Sequence, residues 1–344
     1  MAKTNPGRFF EDYTVGEVIR HAVPRTLSGG ERALYHALYP ARHALASSDE
    51  FARSVGLAAA PLDDLIAFHT VFGKTVPDIS LNAVANLGYA EGRFLKPVHA
   101  GDTLTSESEV IGLKQNSNGK SGVVYVRTTG RNQRGEAVLE YVRWVMVRKG
   151  DLEAPAPETV LPDLSKAVPA DQLVTPEGLD FTGYDFTLAG EPHRLGDYSV
   201  GEKIDHVDGV TIEEAEHMLA TRLWQNTAKV HFDATFRPDG QRLIYGGHVI
   251  SMARALSFNG LANAQMIAGI NAGAHANPCF AGDTVKAWSE VLDVAETGAP
   301  GVGAIRLRLV AVKAGAAPFA LKVEDGKYAP EVLLDLDYWA LMPV

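Results

Sequence analysis

The chain carries one module twice, and that repetition limits its fold more than any other feature. A first copy opens Asp12-Tyr13-Thr14-Val15-Gly16-Glu17, and a second opens Asp197-Tyr198-Ser199-Val200-Gly201-Glu202. At that same separation His21 matches His206, Thr26 matches Thr211, Glu31 matches Glu216 and Leu38 matches Leu223. Further on, Pro97-Val98-His99-Ala100-Gly101-Asp102-Thr103 faces Pro278-Cys279-Phe280-Ala281-Gly282-Asp283-Thr284. The separation has drifted by only four residues between these anchors, which marks a duplication and predicts two like halves. The expected division is an N-terminal unit over 1–150, a proline-rich linker over 151–185 and a C-terminal unit over 186–344. Pro155, Pro157, Pro162 and Pro169 remove backbone donors and fix φ, so the linker is expected to drape over the surface.

Both copies follow the same order of patterns. Thr26 to Glu31 and Thr211 to Glu214 read as helix starts with acidic first turns. A more apolar helix is expected at Asp63 to Phe72 in the first copy and at His248 to Leu261 in the second. After each Gly-Asp-Thr the pattern turns to strands, at Gly122 to Arg127, Ala137 to Val147 and Ile305 to Val312. An antiparallel sheet wrapped around one apolar helix satisfies that order, so the fold class is α+β.

Charge and cysteine content narrow the chemistry. Lys and Arg number 32 against 42 Asp and Glu, a net charge of −10, so a nucleic-acid partner is not expected. The single cysteine, Cys279, permits no disulfide within the chain and no cysteine-rich zinc site. The N-terminus shows no apolar signal region, and no apolar stretch approaches the roughly 20 residues of a membrane span. A cytoplasmic location without a membrane partner is therefore expected. His231-Phe232-Asp233 is too short to argue a metal site, and Gly29-Gly30 lacks the flanks of a phosphate loop. Asp63-Asp64 reads as a charge cluster at a helix start rather than a catalytic carboxylate pair.

Three segments together resemble the MaoC-like hydratases, in their double hot-dog form. They are Phe10 to Gly16, Arg93 to Thr103, and Asn226-Thr227-Ala228-Lys229-Val230-His231-Phe232-Asp233, which stands where that family has its hydratase motif. The resemblance covers nearly all of the chain outside the linker. It implies two antiparallel sheets, each around an apolar helix, joined edge to edge. It also implies a hydro-lyase that reversibly hydrates an α,β-unsaturated acyl-CoA, with CoA as part of the substrate and no separate cofactor. The N-terminal run and Tyr39-Pro40-Ala41-Arg42-His43 are similar to those members that act on a C5 dicarboxylic acyl group. A neutral acyl chain, as in an (R)-specific enoyl-CoA hydratase, and a non-catalytic thioester-binding module are the alternatives. The resemblance allows a homodimer.

Hydration needs a base for water, an acid for Cα and donors for the thioester carbonyl. A histidine suits the first task because its pKa lies near operating pH, and His231 is the candidate. The family motif has Asp five residues earlier, where this chain has Asn226. An amide cannot cycle a proton but can hold water, so the Cα proton is left to His231 or to Asp233, with Asp233 the expected orienter of the loop or ring. Gly246 and Gly247 precede the apolar helix, where free N–H groups favour developing negative charge. His248 either reaches the substrate or caps the turn. In the first copy His43 reads as the counterpart of His231, with Leu38 at the Asn226 position, so that copy looks degenerate and free to hold the acyl group. Arg42, His43 and Arg93 are the candidate partners of a distal carboxylate.

Overall fold

The computed structural model describes residues 3–344. In the first copy β1 (Val18–Thr26) leads to α1 (Gly29–Leu38), α2 (Ala44–Ser47), α3 (Asp49–Ser54) and α4 (Asp64–Thr75). Strands β2 (Ala83–Phe94), β3 (Thr103–Gln115), β4 (Ser121–Arg131) and β5 (Ala137–Arg148) follow. The intervening segment carries α5 (Phe186–Ala189). The second copy repeats the order with β6 (Lys203–Thr211), α6 (Glu214–Leu223), α7 (Lys229–Phe232), α8 (Gly246–Leu256) and α9 (Phe258–Leu261). It closes with β7 (Met266–His275), β8 (Thr284–Glu296), β9 (Val302–Lys313) and β10 (Val332–Pro343).

All ten strands form one antiparallel sheet in the order β1-β3-β4-β5-β2-β7-β10-β9-β8-β6. The halves meet edge to edge at β2 and β7, where Tyr89 pairs with Gly273 and Arg93 with Gly269. Helices α4 and α8 are buried along almost their whole length, as expected of a helix apolar on every side. Each is held in one half of the sheet. Joining the two inner edges leaves only β1 and β6 at the margins, which limits unpaired backbone.

The duplication survives as duplicated hydrogen bonds. His21 Nε2 meets Ser108 Oγ at 2.8 Å, and His206 Nε2 meets Ser289 Oγ at 2.8 Å. Thr26 meets Thr103 through their hydroxyls at 2.7 Å, as Thr211 meets Thr284. Asp102 accepts from the His99 N–H and Asp283 from the Phe280 N–H, both at 2.9 Å.

Two readings of the sequence need correction. Each copy begins with a strand, not a helix. β1 and β6 are edge strands with mostly exposed side chains, β1 contains Pro24, and inward alternation is confined to the start of each, at Ile19 and His21 and at Ile204 and His206. The stretch after β5 is also more than a surface drape. Val168, Leu179, Phe181 and Tyr184 are buried against β7 and β10, and the Val168 carbonyl accepts from Trp339 Nε1 at 3.0 Å. Among the described residues no helix is long and apolar enough to cross a membrane.

Candidate active site

Between the two copies lies a cavity of about 310 Å³. From the second copy it is lined by Asn226, Val230, His231, Tyr245, Gly246 and His275, and from the first by Phe72, Ser80, Asn86, Tyr89 and Arg143. Val84 and Ala85 are exposed at its rim, whereas Asn226, Tyr245, Tyr89 and Arg143 are buried at its floor.

His231 sits in the short helix α7. Its Nδ1–H donates to the Leu243 carbonyl at 2.7 Å, which leaves Nε2 unprotonated and available in the neutral ring. Burial lowers its pKa, and the Leu243 carbonyl only partly offsets this. The ring is therefore neutral at neutral pH, the state a general base requires. Asn226 is buried beside it, in the turn after α6. Its Oδ1 accepts from the Ala228 N–H at 3.2 Å, which turns the Nδ2 donor away from that turn.

The first copy holds this turn in place. A Cβ on Gly73 of α4 would lie 1.7 Å from the Trp224 carbonyl oxygen, so only glycine admits this approach. The Arg25 guanidinium donates to the neighbouring Leu223 carbonyl. Asp233 does not face His231. It caps the next helical turn, accepting from Thr235 N at 2.9 Å and from Thr235 Oγ1 at 2.7 Å.

Gly246 opens α8 without a side-chain cap and lines the cavity. A Cβ there would lie 2.4 Å from the His275 ring, so a larger residue would have to displace that ring. Gly247 is buried against the Tyr245 ring rather than against the cavity. His248 is also withdrawn from it. Its Nδ1 lies 3.1 Å from Tyr39 Oη of the first copy and its Nε2 lies 3.4 Å from Glu216, so it braces the copies against each other.

The first-copy candidates are placed elsewhere. Helix α2 matches α7 at the separation set by the opening motifs, so His231 corresponds to Ala46, and Asn226 to Ala41. His43 is the N-cap of α2 and corresponds to Ala228, the N-cap of α7. Pairing His43 with His231 is therefore three residues out of register. His43 is buried and accepts from Arg254 Nη1 at 2.6 Å. Burial and Arg254 hold its pKa well below the usual histidine range, so it offers no cation to a carboxylate. Arg42 stacks over the Phe258 ring at 4.5 Å, and Arg93 pairs with Glu140 at 3.3 Å. Neither lines the cavity.

The cation that does line it is Arg143. Its signal was present in β5, where it shares the inward parity of the buried Leu139, Tyr141, Val145 and Val147. An arginine on an otherwise apolar inward face is an unusual placement. His275 and Tyr245 were missed because nothing local distinguishes them. His275 Nε2 lies 3.2 Å from Tyr89 Oη, and burial together with nearby His231 lowers its pKa to about 4.

The family model described as mesaconyl-CoA hydratase matches residues 1–321. The chain belongs to the mesaconyl-CoA hydratase family. A mesaconyl-CoA hydratase of Cereibacter sphaeroides is 79% identical over 341 residues, covering 99% of both chains. A β-methylmalyl-CoA dehydratase of Chloroflexus aurantiacus is 58% identical, again over 99% of both. A MaoC domain protein dehydratase from Chloroflexus aurantiacus superposes with a TM-score of 0.98 at 58% identity, covering 100% of this chain and 99% of that one. A Mycobacterium tuberculosis protein with a double hot-dog fold superposes at 0.74 with 23% identity, over 98% of both chains, and speaks for the fold alone. The chain is thus a double hot-dog, with its candidate site at the junction of the two modules.

Proposed function

We propose that this chain reversibly adds water across the carbon–carbon double bond of mesaconyl-CoA to give β-methylmalyl-CoA. The observation that carries the reading is His231, with Nδ1 tied to Leu243 and Nε2 free in a cavity that also holds an uncapped helix start. The names of the two close relatives supply the substrate.

In this reading His231 Nε2 removes a proton from water, and the resulting hydroxide forms a C–O bond at the carbon β to the thioester. The π electrons move towards the thioester carbonyl, whose oxygen gains charge beside the Gly246 N–H. Helix N-termini favour such charge, and a preorganised donor contributes more in a dry site than in water. The imidazolium then returns its proton to Cα, so the base is regenerated and one water is consumed. Asn226 Nδ2 positions the water, a task within the reach of an amide. Neither Asp233 nor His248 has a part in these steps, since both are committed to partners outside the cavity.

The test is turnover of mesaconyl-CoA by the purified chain, followed by loss of enoyl-thioester absorbance and by a mass gain of one water. Hydration by the native chain and its loss in His231→Ala support the reading. Hydration at the native rate in that variant would remove His231 from the mechanism.

A further inference from the structure

We infer that Arg143, together with Asn86 of the same cavity, binds a second carboxylate at the far end of the acyl chain and so selects dicarboxylic over neutral acyl-CoA thioesters. The inference rests on the hydration reading above and deepens it by naming what the first copy contributes.

The surroundings of Arg143 are those of a cation without a counter-ion. Its side chain is fully buried. Nη2 donates to Thr75 Oγ1 at 2.7 Å and lies 3.5 Å from Ser80 Oγ. Thr75 gives its own hydrogen to the Phe72 carbonyl at 2.7 Å, so towards Arg143 it is only a neutral acceptor. The Phe72 ring lies 4.3 Å from the guanidinium carbon. Among the described residues, no carboxylate forms an ion pair with Arg143. Nε and Nη1 have no acceptor at all. Leaving a buried charge uncompensated is strongly destabilising. Buried polar groups that lack partners in a free protein are those a ligand can satisfy.

Asn86 repeats the pattern. Both its Oδ1 and its Nδ2 are buried without partners, and it lines the same cavity. No acidic residue is among those lining this cavity. The arrangement presents N–H donors from a guanidinium and an amide, which suits a planar carboxylate.

Position supports the same occupant. The exposed rim at Val84 and Ala85 leaves room for the bulky CoA outside, and His231 is half-buried. Arg143 lies at the buried floor, on a strand of the first copy. An acyl chain threaded past His231 therefore directs its far end to Arg143. A methyl terminus there would leave the guanidinium unpaired. Sites built to pair a polar group reject analogues that lack it far more strongly than apolar pockets discriminate by size.

The test compares the native chain with Arg143→Gln, Arg143→Lys and Asn86→Ala. kcat/KM is measured with mesaconyl-CoA and with crotonyl-CoA, which lacks the distal carboxylate. Binding is measured with the unreactive pair succinyl-CoA and butyryl-CoA. The expected result is a loss of about 10²–10³-fold for mesaconyl-CoA in Arg143→Gln, with crotonyl-CoA changed by no more than about threefold. The native preference for succinyl-CoA over butyryl-CoA should vanish in that variant and survive in part in Arg143→Lys. Equal losses on both substrates would assign Arg143 a structural role and overturn the inference, as would native binding that does not distinguish succinyl-CoA from butyryl-CoA. Should Arg143→Gln not fold, Arg143→Lys and Asn86→Ala carry the same ratios. A native chain that hydrates neither enoyl-CoA would defeat the hydration reading, whereas the succinyl-to-butyryl ratio still reads the carboxylate subsite separately.

Discussion

In the first copy the buried helix α4 starts under two carboxylates; in the second its counterpart α8 starts on two glycines. Asp63 Oδ1 accepts from the Leu65 N–H at 2.9 Å, and Asp64 Oδ2 accepts from the Ile267 N–H at 2.8 Å. Asp63 thus caps the first helix start from within the protein, while Asp64 reaches across to β7. The second has no cap, and the cavity reaches Gly246. A duplicated fold offers two such sites, and here one has been closed by its own side chains while the other is left to a ligand. The same division holds for the base, since His231 in one copy answers to Ala46 in the other. What the first copy retains is a wall: Phe72, Tyr89 and Arg143 line the cavity, and Gly73 lets the Asn226 turn come close.

The sharpest way to break this asymmetry is to remove the base. His231→Ala should lower kcat by about 10²–10⁴-fold, the range for loss of a general acid–base group. His43→Gln in the first copy should leave kcat near native, because that ring contacts Arg254 and not the cavity. Steady-state kinetics on both variants, with circular dichroism as the check on folding, decide the matter. A comparable loss of kcat in folded His43→Gln would restore a catalytic role to the first copy.

The next largest effect is expected at the helix start. Gly246→Ala drives a methyl into the His275 ring and displaces the N–H beside the thioester, with an expected loss of about 10²–10³-fold in kcat. Unchanged kcat in this variant would show that the reacting carbonyl lies elsewhere.

Asn226→Asp sharpens the comparison through pH. With Asn226 the His231 pKa is lowered by burial, so the neutral base persists below the ordinary pKa of about 6.5. The acid limb of kcat/KM should therefore fall below that pH. A carboxylate at position 226 favours the imidazolium and should move the limb upward. A pH–rate profile that is the same in both proteins would separate Asn226 from His231.

The smallest effect concerns the closed site. Burial and neighbouring Asp63 raise the Asp64 pKa to about 8, above its ordinary value of 3.8. Because the folded state binds this proton more tightly, its stabilising contribution is complete below about pH 4 and is lost as pH rises towards 8. Asp64→Asn removes that dependence. Its melting temperature relative to native should rise across the same window. A difference that stays flat with pH would show that Asp64 is ionised throughout.

The duplication, the antiparallel strands around each helix and the candidates His231, Asn226 and Gly246 were all legible in the chain itself. Each shows up locally: as a repeated motif, as a run of alternating residues, or as one motif of adjacent residues. The edge strands β1 and β6 were not legible, because the inward alternation in each ends at His21 or His206, too short a run to mark a strand. Nor was the register of the first copy. His43 resembles His231 in the sequence, but the backbone matches α2 to α7 and gives it the place of Ala228.

The choice of cation shows the same limit. The arginines nearest the motifs, Arg42 and Arg93, are held by Phe258 and Glu140, while Arg143 reaches the cavity from the middle of β5. Period and motif follow from covalent order and settle what each segment becomes. Which side chains share one cavity depends on joining β2 to β7, which brings residues far apart in the chain to the same walls. That pairing of edges, and with it the site, belongs to the tertiary structure alone.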